Sequence, residues 1–80
     1  MNRVAKLLRE AREKKGMTQE QLGQKLKYAS GHQYVSNWER GASPPPFAKL
    51  REINKELEVK PQEFIDAYLQ DFRERLEQVL

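Results

Sequence analysis

The stretch 17–41, MTQEQLGQKLKYASGHQYVSNWERG, reads as two short helices joined by a turn, the second ending at a glycine. Thr18 is a good N-cap. Gln21, three residues on, completes a Thr-x-x-Gln capping box just ahead of the apolar Leu22 and Leu26. A helix is therefore expected to start at Gln19. Lys27 to Gly31 carry Tyr, Ala, Ser and Gly without periodicity, which predicts a turn, and Ser30 or Gly31 can cap a second helix. That helix is expected over 32–40. On a 3.6-residue period Val35 and Trp38 share one face, while Gln33, Asn37 and Arg40 point away from it with Ser36 beside them.

That outward face has a chemistry of its own. Gln and Asn side chains can each pair with the N6 and N7 edge of adenine, whereas an ordinary solvated face uses Lys and Glu. The pattern points to a helix that meets base edges in a DNA groove, against the plainer reading of a chance polar surface.

Composition narrows the alternatives. Eighty residues make one domain with a small core, and 34% charged residues with a mean hydropathy of −0.95 fit a helical protein rich in surface. No apolar run approaches a membrane span, and the amino terminus lacks the apolar core of a signal peptide, so a cytoplasmic, nucleoid-associated location is expected. With no cysteine and one histidine, neither a disulfide nor a metal site is expected, and no cofactor. Net charge is +3, unevenly spread. Residues 1–40 hold nine Lys or Arg against four acids, and residues 41–80 hold six against eight. The basic half contains the helix with the amide face, a polarity that steers a polyanion toward it.

Helix one is expected from Asn2 or Arg3 to Lys15, since Val4, Leu7, Leu8 and Ala11 mark one buried face, with Gly16 as its glycine cap. Trp38 should be the largest core residue, neighboured by Leu8, Leu22, Leu26, Val35, Leu50, Ile53 and Leu57. The prolines at 44–46 break the chain, and Pro46 can open helix four, expected over 47–56 with Phe47, Leu50, Ile53 and Leu57 as its apolar repeat. Pro61 starts a last helix over 62–80, on which Phe64 and Tyr68 can fold back onto the core. Ile65, Leu69, Phe72, Leu76 and Val79 recur at spacings of 4, 3, 4 and 3. Such a seam packs on another helix. A second copy of the chain is the expected partner, with an intramolecular seam or a frayed tail as the alternatives.

Taken together these residues resemble the phage-repressor and Cro-like helix-turn-helix family, also called the Xre family. The likeness rests on Arg12, on Met17-Thr18-Gln19-Glu20-x-Leu22, and on Val35-Ser36-x-Trp38-Glu39-x-Gly41. Pro45 or Pro46, Leu50, Leu57-x-Val59-x-Pro61 and Phe64 extend it over roughly residues 4–69. One departure stands out: eight residues separate Leu26 from Val35, more than the family usually has, so either the turn is longer or helix two runs on.

The resemblance implies an all-α fold: a compact five-helix lambda-repressor-like domain over 1–69, with an extended C-terminal helix, 62–80, whose last part dimerises. It implies contacts to bases from His32, Gln33 and Asn37, flanked by Ser36. Phosphate contacts are expected from Thr18 and Gln19 at the start of helix two, and from Lys25, Lys27, Tyr34 and Arg40. Arg12 and Glu39 are implied as a structural pair, and Gly23 as a small residue where helix three comes close. The function expected is a sequence-specific regulator of transcription, a repressor, binding double-stranded DNA as a homodimer at a pseudo-palindromic site. The alternative is a protein-interaction module of the same fold, of antitoxin or co-regulator type, acting through its C-terminal helix. An enzyme is not expected, since no nucleophile has a positioned base and no glycine loop cradles phosphate.

Overall fold

A computed structural model describes residues 2–80, so the first residue of the expected unit 1–69 lies outside it. Five helices run in order: α1 Arg3–Lys14, α2 Gln19–Lys25, α3 Gly31–Glu39, α4 Phe47–Leu57 and α5 Pro61–Val79. The architecture is all-α, with no strand among the described residues.

Local chemistry sets the boundaries. Asn2 caps α1 by accepting from the Ala5 N–H at 2.9 Å, and Thr18 and Gln21 form the reciprocal capping box of α2 at 3.0 and 2.8 Å. Helices α1 and α3 end in left-handed glycines, Gly16 (φ 70) and Gly41 (φ 76), the conformation that closes a Schellman turn. In α1 the next amide, Met17 N–H, returns to the Arg12 carbonyl at 3.2 Å; in α3, Ala42 N–H returns to Asn37 at 3.0 Å. Helix α3 begins one residue earlier than expected, at Gly31, with Ser30 as its N-cap and Arg40 as its C-cap.

The longer segment after Leu26 is resolved as a longer turn. Helix α2 stops at Lys25, and Lys27 takes the left-handed conformation (φ 66) usually given to glycine. Lys27 N–H then donates to the Gln24 carbonyl at 2.9 Å and Tyr28 N–H to Gly23 at 3.1 Å, which completes the same Schellman turn on a lysine.

The core comprises Val4, Leu8, Leu22, Leu26, Val35, Trp38, Ile53, Leu57, Val59, Phe64 and Ala67, with Leu7, Ala11 and Leu50 only partly covered. Ala5 is buried although the expected face of helix one omits it. Phe47 departs from expectation, being 79% exposed. Steps of three residues drift about 60° each round a helix, so Phe47 lies well away from Ile53 and meets the Tyr68 ring edge-on at 5.7 Å instead.

Helix α2 packs chiefly on α3, and α1 on α5 and α3. The α2–α3 contact is close because both residues at the crossing are glycines. A Cβ on Gly31 would stand 2.6 Å from Gly23 Cα, and one on Gly23 would meet the Gly31 backbone more tightly still. Helix α5 holds the start of α1 through Asp71, whose two carboxylate oxygens accept the Arg3 and Val4 N–H groups at 2.8 and 3.0 Å. Arg3 also reaches Glu74 at 2.5 Å, an ion pair that holds the Glu74 carboxyl below its usual range. Tyr68 donates its hydroxyl to the Pro45 carbonyl at 3.0 Å.

Candidate nucleic-acid interface

Helix α3 is the element on which the outward amides sit, and its inner face fixes its orientation. Val35 is fully buried and Trp38 is 3% exposed. Gly31 and Glu39 are buried on the same side. The opposite side therefore carries Gln33 and Arg40, both exposed, with Ser36 and Asn37 half-buried beside them. His32 is exposed at the N-terminal flank, next to Glu20 and Gln24 of α2.

Three helices meet at Glu39, the end of this rod. Its carboxylate, 3% exposed, accepts from Arg12 Nε at 2.6 Å and from Arg12 Nη2 at 3.1 Å. Arg12 spends its remaining fork on the Met17 carbonyl at 2.7 Å, and the Gln19 amide nitrogen donates to Glu39 at 3.1 Å. The Arg12 guanidinium is held in its charged form by the hydrogen bonds to Glu39, which outweigh its own desolvation. α1, the start of α2 and the end of α3 are thus locked at one ionic node. Gln19, expected at phosphate, has its amide nitrogen directed to that node.

The long turn lies along one edge of the α3 surface. Tyr28 stacks on Tyr34 with ring centroids 4.3 Å apart, meets Trp38 edge-on at 5.8 Å and receives the Lys49 ammonium 5.0 Å from its ring centre. Lys49 also donates to the Leu26 carbonyl at 3.1 Å. An open pocket of about 360 Å³ results, lined by Lys27, Ala29 and Ser30 of the turn and by Gln33, Tyr34 and Asn37 of α3. Of the expected contact residues, Lys27, Tyr34, Gln33 and Asn37 are brought together here. Arg40 donates to the Asn37 side-chain oxygen and so belongs to the same surface. Lys25 is not gathered there: its ammonium is 3.9 Å from Glu56 on α4. Thr18 is exposed, with its hydroxyl engaged in the cap of α2.

A family model described as helix-turn-helix matches residues 8–64, most of the chain. The chain belongs to the helix-turn-helix family of the Xre and lambda-repressor type. In that family α2 and α3 are the two helices of the motif, and the protein is a DNA-binding regulator of the Xre type. Neither a curated protein nor a solved structure matches the chain. No helix among the described residues is long and apolar enough to cross a membrane.

Two features of this helix-turn-helix domain escape the sequence reading. The Tyr28–Tyr34 stack carries no periodic signal, because one partner lies in a turn. Asp71, which caps α1 from the other end of the chain, is separated from Arg3 by 68 residues. The α5 row is a second notable surface. Ile65, Leu69, Phe72, Leu76 and Val79 are between 42% and 77% exposed, while Phe64 and Ala67 on another face of the same helix are buried. None of these five belongs to the core.

Proposed function

We propose that this regulator is a repressor that reads a specific, pseudo-palindromic duplex site as a homodimer. His32, Gln33, Ser36 and Asn37 contact bases in the major groove, while Lys27, Arg40, Lys25 and the Thr18–Gln19 end of α2 lie along the phosphates. Residues 1–69 form the reading unit, and the exposed row of α5 joins two such units. The observation that carries this reading is the division of α3, with Val35 and Trp38 sealed inside and the Gln33–Asn37 amides on the other side, next to Lys27 and Arg40.

Selection of bound fragments from a random duplex pool tests it. Enriched fragments should show two-fold symmetry, with half-sites about 10 base pairs apart or a multiple of that. A pool that emerges unselected at low salt removes the reading. The exposed row on α5 also favours a second one, a protein-interaction module of antitoxin or co-regulator type. In that case a foreign helix binds across Leu69, Phe72 and Leu76, and affinity for DNA is absent or insensitive to salt.

A further inference from the structure

We propose that Tyr34, held in place by Tyr28, forms an apolar wall at the edge of the α3 surface that receives the C5-methyl group of thymine. Tyr34 is then a specificity-determining residue rather than a backbone contact, an inference that rests on α3 being the base-reading helix.

Tyr34 lies about 60° round the helix from Asn37, on the side toward the Lys27–Ser30 turn. It is 47% exposed. The ring is not free to turn away. It stacks on Tyr28 at 4.3 Å with planes 23° apart, and Tyr28 is itself held between the Trp38 edge and the Lys49 ammonium. The exposed part of the Tyr34 ring is therefore held in place, and with Ala29 it lines the same pocket as Gln33 and Asn37.

In the major groove every base pair offers hydrogen-bond donors and acceptors, and thymine alone among the unmodified bases adds an apolar group, its C5-methyl. An apolar wall beside two amides matches that combination: the amides meet the polar edge of one pair, and the ring covers the methyl group of its neighbour. A deoxyribose against the same ring is the competing occupant, and it makes no distinction between thymine and uracil.

The test uses the full chain and its selected duplex, with each symmetry-related pair of thymines replaced in turn by deoxyuridine. Binding is followed by fluorescence anisotropy for the native protein, Tyr34→Phe and Tyr34→Ala, each checked for native helicity by circular dichroism. At one pair of positions, loss of the methyl group should weaken the native protein about fourfold per half-site, the amount expected for one buried methyl. Tyr34→Phe should keep that discrimination, and Tyr34→Ala should bind both duplexes equally. Tyr34→Gln serves as a second ring-removing variant should the alanine protein not fold. A native protein indifferent to deoxyuridine at every position overturns the proposal, as does a ring-less variant that still discriminates. Failure to bind the selected duplex at all overturns the base-reading function as well, whereas tight binding without discrimination removes only the role of Tyr34.

Discussion

Glu39 and Arg12 form a two-point ion pair, Nε to Oε2 at 2.6 Å and Nη2 to Oε1 at 3.1 Å, with side chains 3% and 11% exposed. The pair joins α1 to the last turn of α3, so it sets the angle at which the outward side of α3 is presented. Glu39→Ala leaves the Arg12 guanidinium and the Gln19 amide without their acceptor in a largely dry site. The expected loss is about 3 kcal/mol, the lower end for a broken buried pair. Urea denaturation followed by circular dichroism measures it, and a midpoint equal to that of the native protein would show the pair to be ornamental.

Gly23→Ala should have the opposite sign to its usual effect. In an exposed helix the change gains about 1 kcal/mol from helix propensity. Here a Cβ meets the Gly31 backbone, which cannot rotate aside as a side chain does, so α2 and α3 must separate. A net loss of about 1 to 3 kcal/mol is expected, together with weakened DNA binding, since the spacing of the motif is altered. A raised thermal midpoint would contradict this.

Base and phosphate contacts should separate in titrations at several salt concentrations. Gln33→Ala and Asn37→Ala are each expected to weaken the preferred site by about 1 to 3 kcal/mol and to relax base preference. Lys27→Ala should weaken all duplexes alike and reduce the slope of log affinity against log salt by about one. Equal losses on specific and nonspecific duplexes for the two amide variants would count against base reading.

Tyr68 gives the fold an alkaline limit. Burial, aided by the nearby Asp71 charge, pushes its hydroxyl up to about 12 from an ordinary 10.0. The neutral phenol is the form that donates to Pro45, so its contribution is complete below pH 10 and is lost as pH rises from there toward 12. Tyr68→Phe should be about 1 kcal/mol less stable at neutral pH. The gap between the two proteins should close over that alkaline window in denaturation curves taken at successive pH values.

The proposed pairing of two copies through the apolar row of α5 should be sensitive to one charge. Leu69 is 62% and Phe72 57% exposed, so Phe72→Glu leaves the domain core untouched. Sedimentation velocity should show the native protein as a dimer and the variant as a monomer of unchanged helicity. A native protein that is monomeric at high concentration would exclude the homodimer.

The readable part of this protein is the part that short-range forces control. The Thr18–Gln21 box, Gly16 and Gly41, and the alternation of Val35 and Trp38 with Gln33 and Asn37 act within one or two helical turns, so helix positions and the inner and outer sides of α3 could be read directly. Phe47 misled because a repeat of three is only nearly the period of a helix, and the drift carried it to the surface. Tertiary structure alone decided the rest. Lys27 takes a left-handed backbone against the usual preference of its residue type, within a turn where Tyr28 is anchored by Trp38 and Lys49. Asp71 caps a helix 68 residues away, and Gln19 turns its amide to Glu39. None of these has a local signature, because each partner is supplied by another helix and its identity depends on how the helices cross.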